Sequence, residues 1–267
     1  MVSHGYSLTT CAPAAHDGIP MRCHCGGQGE TLLLFVHGWT CRRAYWHRQL
    51  AYFSNFYRVA APDLPGHGDT GSQPRTAWSI AAFGADIASC VREFKADRAI
   101  LIGHSMGGAV ALEAARLLGN TAAAVILVDT FVIDYGGLSA ADIQETAAPF
   151  ETDFQGAMAG LIEQTATEAT PADLKERLTR EMSAADPSWA LPVWRDLLAW
   201  NPQPAFEELD IPIYAINGAL IPETARERCA PYVTETIIPG AGHFLQMEDP
   251  DGFNRILNKI LADLQTS

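Results

Sequence analysis

The segment Gly103-His104-Ser105-Met106-Gly107-Gly108 sets a serine among glycines, after the apolar run 99–102 and before the Ala-rich stretch 109–112. A Gly-x-Ser-x-Gly turn between a strand and a helix is a nucleophile elbow. Its backbone doubles back so sharply that the neighbours must be small. The serine hydroxyl is thereby exposed at a helix N-terminus, where free N–H groups and the helix dipole stabilise an oxyanion forming on a substrate carbonyl. A serine hydroxyl is a poor nucleophile until an imidazole accepts its proton. That imidazole in turn needs an acid to fix its tautomer and stabilise its cation. The chain order expected with such a turn is Ser, then Asp or Glu, then His.

Of the eight histidines, only His243 sits in a glycine-flanked loop beyond the last apolar strand, in Pro239-Gly240-Ala241-Gly242-His243-Phe244, and it is the expected base. His37 and His104 flank the turns that would hold the oxyanion. They are read as braces for that backbone and counted with the residues around the substrate. His67 is read the same way within the loop 62–69.

These residues need a sheet to hold them. Thr31–Val36 is a continuous apolar run, as in a strand buried on both faces, and it stops abruptly at His37-Gly38-Trp39-Thr40. Further strands are expected at Tyr57–Ala61, Ala99–Ile102, Ala124–Val128, Ile211–Asn217 and Glu235–Ile238. Helical stretches alternate with them at Trp46–Ser54, Ser79–Lys95, Gly108–Leu118, Glu223–Ala230 and Asp249–Gln265. That alternation implies an α/β fold with a doubly wound, mostly parallel sheet. Residues 1–30, with the turn signal Asp17-Gly18, are expected to add two antiparallel strands. From about Ile133 to Asn201 apolar strands are missing, and helix starts are signalled at Ser139, Thr152, Thr170-Pro171 and Asp186-Pro187. The expected division is a core of residues 1–132 and 202–267 and a helical cap of 133–201.

Composition narrows the partners. A net charge of −13 repels phosphate backbones and anionic membrane surfaces, so nucleic acid and membrane are excluded as partners and a small-molecule substrate is expected. The first twenty residues lack a basic segment followed by an apolar run, and six scattered cysteines fit reduced thiols, so a cytoplasmic location is expected. Cys23-His24-Cys25 has no second ligand pair at zinc-like spacing, so neither a metal nor a cofactor is expected. A monomer or a homodimer fits equally.

His37-Gly38-Trp39, Asp63-Leu64-Pro65-Gly66-His67-Gly68, the Ser105 turn, and Gly240-Ala241-Gly242-His243 followed by Glu248-Asp249-Pro250 together resemble the α/β-hydrolase superfamily. The resemblance covers the chain except the cap. It implies an eight-stranded sheet with the cap inserted after strand six, Ser105 after strand five, and His243 after the last strand. It also implies an oxyanion hole formed by the N–H groups of Met106 and Trp39. The acid departs from the pattern, because the loop after Ile211–Asn217 reads Gly218-Ala219-Leu220-Ile221-Pro222-Glu223 without an aspartate. Relatives of this kind place it after strand six, here Asp129. A carboxylate at a buried strand end is costly unless partnered, which favours the same residue. Glu223, or a Ser–His dyad without a strong acid, stands as the alternative.

The reaction expected is hydrolysis of an ester, thioester, lactone or related acyl bond through an acyl-enzyme on Ser105. A serine at that position disfavours the dehalogenase and epoxide-hydrolase branches, which need a carboxylate there. Aromatic residues expected near the substrate are Trp39, Phe131, Phe244, Trp189 and Trp194, with Met106. Two other readings share these residues: a cofactor-independent dioxygenase using His243 and Asp129 as base, and a non-catalytic ligand receptor.

Overall fold

Strands alternate with helices along the chain. The computed structural model describes residues 8–266. The strands are β1 (Thr9–Cys11), β2 (Cys23–Gly26), β3 (Thr31–Val36), β4 (Arg58–Pro62), β5 (Arg98–His104), β6 (Ala122–Val128), β7 (Ile213–Asn217) and β8 (Thr234–Ile237). They form one eight-stranded sheet in the order β1-β2-β4-β3-β5-β6-β7-β8, antiparallel at β1 and β2 and parallel from β4 to β8. The order reverses at β3, whose neighbours are β4 and β5, so the carboxyl ends of β3 and β5 flank the crevice where such sheets bind ligands.

The helices are α1 (His47–Phe53), α2 (Ile80–Glu93), α3 (Met106–Leu118), α4 (Ala140–Thr152), α5 (Phe154–Gln164), α6 (Ala172–Met182), α7 (Pro187–Ala199), α8 (Gln203–Glu208), α9 (Glu223–Cys229), α10 (Leu245–Glu248) and α11 (Pro250–Thr266). Side chains of a strand alternate between its two faces, and both faces are apolar here. Leu32, Leu34 and Val36 join the core cluster that contains α2 and α3. Leu33 and Phe35 join the cluster formed with Leu50 and Phe53 of α1 and Phe253, Leu257 and Leu261 of α11. Each fully buried side chain of this size stabilises the fold by about 1.5–3 kcal/mol.

Five helices, α4 to α8, stand between β6 and β7 with no strand among them, and the first four of them lie between residues 140 and 199. Ser139 opens α4 with a capping box, accepting from the Asp142 N–H at 3.2 Å while the Asp142 carboxylate accepts from the Ser139 N–H at 2.8 Å. Asp186 caps α7, with Pro187 in its first turn. The start signalled at Thr152 falls one residue off, because Asp153 is the cap of α5 and accepts from the Gly156 N–H at 3.0 Å. No helix among the described residues is long and apolar enough to cross a membrane.

Candidate functional site

Among the described residues, three of the four non-glycine residues with positive φ lie just past the carboxyl ends of neighbouring strands: Thr40 (56°) after β3, Ser105 (54°) after β5 and Asp129 (47°) after β6. Such conformations cost of order 1–3 kcal/mol each and persist only where the surroundings enforce them. At Ser105 the enforcement is close packing. A Cβ on Gly103 would run into the Gly107 carbonyl, one on Gly107 into the Val36 carbonyl, and one on Gly108 into Thr130. The elbow helix α3 therefore lies against β3 and β5 at a distance that only glycine permits.

The loop after β3 closes on the elbow. A Cβ built on Gly38 would fall 3.1 Å from Ser105 Cβ, so the Gly38-Trp39 backbone passes directly beside the serine. His37 braces that loop from behind. Its Nδ1–H donates to the Gly38 carbonyl at 2.8 Å and its Nε2 accepts from the Leu64 N–H at 3.0 Å. Burial lowers its pKa, so the ring stays neutral, and both nitrogens are engaged by backbone. His37 is thus a brace and not a residue facing substrate. It is not among the residues that border the serine cleft, whereas the equally buried His104 is. His104 donates from Nε2 to the His243 carbonyl at 2.9 Å, and burial followed by the neighbouring His243 pushes its pKa well down.

Asp129 and His243 come together from residues 114 positions apart. Asp129 is fully buried, and its Oδ2 lies 2.7 Å from His243 Nδ1. Its Oδ1 accepts the Gly218 N–H, also at 2.7 Å, so both carboxylate oxygens are partnered. That satisfies the cost of burying the group. The loop after β7 has no room for an acid at its start. A Cβ on Gly218 would fall 2.6 Å from the Ala241 carbonyl oxygen and 2.7 Å from that of Gly242. Glu223 is 73% exposed and paired with Arg226 at 3.4 Å, away from His243. With Nδ1–H directed at a carboxylate, His243 presents Nε2 as the basic nitrogen.

The loop carrying His243 is held by the α5–α6 connection. The His243 N–H donates to the Thr165 carbonyl at 2.9 Å, and Thr167 Oγ1 donates to the Gly240 carbonyl at 2.8 Å. Thr170 Oγ1 donates to Glu248 Oε1 at 3.1 Å, while Glu248 Oε2 accepts the Gly242 N–H at 2.7 Å. These threonines are positioning residues that sequence reading missed. Their only signal was Glu248 beside Asp249-Pro250, since a clasp between distant loops has no local pattern.

Ser105, His104 and His243 line one cleft together with Trp39, Phe244 and Trp194. Trp39 stacks on Trp194 of α7 with ring centres 4.4 Å apart and planes 13° apart, and its Nε1–H donates to the Ala190 carbonyl at 2.9 Å. Two expected wall residues lie elsewhere. Phe131 borders a cavity between β7 and α9, its ring taken up by packing against Trp200 and Phe206. Trp189 lies over His67, with ring centres 4.3 Å apart, in a different cavity. The Met106 side chain is buried in the core, leaving its backbone at the first position of α3 as its contribution to the elbow. Tyr135, Leu161, Ile162 and Met182, absent from the sequence reading, are also part of the wall.

Cys23, His24 and Cys25 lie along β2, where alternation puts the histidine on the face opposite the two thiols. Among the described residues, His16, Asp17 and Asp86 are close enough to hold an ion, but Arg75 already pairs with both carboxylates.

A family model described as the alpha/beta hydrolase family matches residues 33–256. The dihydrolipoyllysine-residue acetyltransferase component of the acetoin cleaving system of Cupriavidus necator is 30% identical over 271 aligned positions, covering 92% of this chain and 67% of that protein. The pimeloyl-(acyl-carrier protein) methyl ester esterase of Methylococcus capsulatus is 34% identical over 137 residues, covering 49% of this chain. The match spans only about half, 51%, of that esterase. In structure, a thermophilic esterase from Thermogutta terrifontis superposes with a TM-score of 0.81 at 24% identity, covering 97% of this chain and 99% of that one, which is a likeness of fold. With the family match extending from β3 into α11 and through the serine elbow, the chain belongs to the alpha/beta hydrolase family.

Proposed function

We propose that the protein is a serine hydrolase that cleaves an ester, thioester or lactone of a small, partly apolar substrate through an acyl-enzyme on Ser105. The observation that carries this reading is the 2.7 Å contact of His243 Nδ1 with the buried Asp129 carboxylate, in the cleft that the strained Ser105 lines. In the first step Ser105 Oγ attacks the acyl carbon and His243 Nε2 takes its proton. The oxyanion forms against the N–H groups of Met106, at the start of a 13-residue helix, and Trp39. His243 then gives the proton to the leaving oxygen or sulfur, and water repeats the sequence to release the acid. Asp129 keeps the imidazole in the required tautomer and balances its charge. The esterase names of two relatives fit this reaction class. Helices α4–α7, within residues 133–201, serve as the lid: Leu161, Met182 and Trp194 cover the serine from three of them.

The test is labelling with a serine-directed fluorophosphonate, read by mass spectrometry, alongside hydrolysis of p-nitrophenyl acetate. Covalent modification of Ser105 and its loss in Ser105→Ala are expected. Labelling of another serine refutes the assignment. Asp129 at the end of β6 also suits a dioxygenase that uses His243 as base and the serine only as a contact. That reading requires Ser105→Ala to keep turnover with oxygen consumption, while His243→Ala loses it.

A further inference from the structure

Resting on the serine-hydrolase reading above, we propose that the hydrocarbon part of the substrate lies in an uncharged slot between α4, α5 and α7. The enzyme would then select neutral esters with medium-length chains and reject chains that end in a charge.

The cleft at Ser105 has room for about 30 Å³, enough for one or two waters and too little for an acyl chain. It adjoins a cavity of about 540 Å³, with which it shares Val132, Ile133, Leu161, Thr165 and Trp194. The remaining walls include Pro149 and Phe150 of α4 and Ala157 and Gly160 of α5. Buried Phe150 and Trp194 form the inner wall, and exposed Pro149, Gly160 and Gln164 form the mouth. None of the described residues bordering this cavity is ionisable, in a chain with 31 acidic and 18 basic residues. A charged chain end entering it would lose hydration and meet no counter-ion.

A second cavity, of about 550 Å³, is charged, with Arg42, Arg180, Glu181 and Asp186 on its walls. It meets the serine cleft only at Cys41, a buried side chain. The uncharged slot, with five residues in common, is therefore the continuation of the reaction site. Its contribution to recognition is burial of methylenes, worth about fourfold in kcat/KM for each one added until the slot is full.

Gly160 supplies the perturbation. A Cβ there meets no atom within 4 Å, so Gly160→Trp adds an indole at a residue of the mouth without displacing backbone. Replacing a glycine inside α5 does not cost helix stability. The experiment measures kcat/KM for p-nitrophenyl esters from acetate to dodecanoate, and for an octanoate analogue carrying a terminal carboxylate, in both proteins. The expected results are a rise of about fourfold per methylene over the first several steps and a loss of about 100-fold or more for the carboxylate-ended chain. In Gly160→Trp the octanoate-to-acetate ratio should fall by about 30-fold or more, equivalent to the loss of a few buried methylenes. A flat chain-length profile, equal turnover of the charged analogue, or an unchanged ratio in Gly160→Trp overturns the slot.

If the wild type hydrolyses no ester, the reaction proposed above falls, and the slot is judged by calorimetry instead. Decanamide should then bind about tenfold or more tightly than 10-aminodecanamide and lose affinity in Gly160→Trp. Absence of binding, or equal binding of the two amides, overturns it.

Discussion

Replacing Asp129 by Asn removes one charge and reverses one hydrogen bond while leaving the shape of the site. In the native protein Oδ1 accepts from the Gly218 N–H and Oδ2 faces His243 Nδ1, each at 2.7 Å. An asparagine satisfies Gly218 with its carbonyl, so its NH₂ group must face Nδ1. The imidazole then accepts at Nδ1 and carries its proton on Nε2, where it cannot take a proton from Ser105. The counter-charge for the imidazolium is lost as well. For a serine–histidine–aspartate arrangement that error lowers kcat by about 10³ to 10⁴, or about 4–5.5 kcal/mol of transition-state stabilisation. Stability should change little, because no cavity forms and the Gly218 bond survives. The assay is kcat for p-nitrophenyl acetate together with the thermal midpoint. Glu223→Gln, at an exposed position paired with Arg226, serves as control and should leave kcat within about twofold. An Asp129→Asn enzyme within tenfold of wild type, with an unchanged fold, would refute the orienting role of Asp129.

Two further perturbations test the supports of the site. Thr170→Val removes the hydroxyl that donates to Glu248 at 3.1 Å and accepts from the Thr167 N–H at 3.0 Å, at a cost of about 1–3 kcal/mol in urea unfolding. Because Glu248 holds Gly242 beside His243, kcat should fall about three- to tenfold with KM little changed; a stability loss with unaltered kcat would make the clasp purely structural. Arg75→Met strips fully buried Asp86 of the guanidinium that it meets at 2.7 Å through both oxygens, and should cost about 3–5 kcal/mol in chemical denaturation. A loss below about 1 kcal/mol would mean that His16, 2.6 Å from Asp86, suffices as partner.

Much of this protein is written in short windows of its sequence. The continuous apolar runs of β3, β5 and β6 announce strands buried on both faces, and β4 and β7 fall within a few residues of their expected places, since a central parallel strand must be apolar on either side. The elbow is equally local: a sharp strand-to-helix turn needs glycines at fixed offsets from Ser105, and the crowding around Gly103, Gly107 and Gly108 is that need in three dimensions. Ser139 and Asp186 mark helix starts through bonds to their own first turns.

Other features depend on residues far apart in the chain. The sequence leaves Asp129, Glu223 and no acid as alternatives, and only the meeting of the β6 end with the loops after β7 and β8 puts a carboxylate at His243, while Gly218 has no room for a side chain and Glu223 is exposed and paired with Arg226. Among the aromatic residues, Trp194 and Phe244 border the serine cleft, whereas Phe131 and Trp189 do not. An aromatic ring packs equally well into a core or a cleft, so its type and spacing carry no information about which wall it joins. The His37 ring is likewise settled by a bond to Leu64, 27 residues away. Periodicity and turn chemistry act within one element and survive in the sequence; the direction in which a side chain finally faces is set by which elements pack together, and only the tertiary structure decides that.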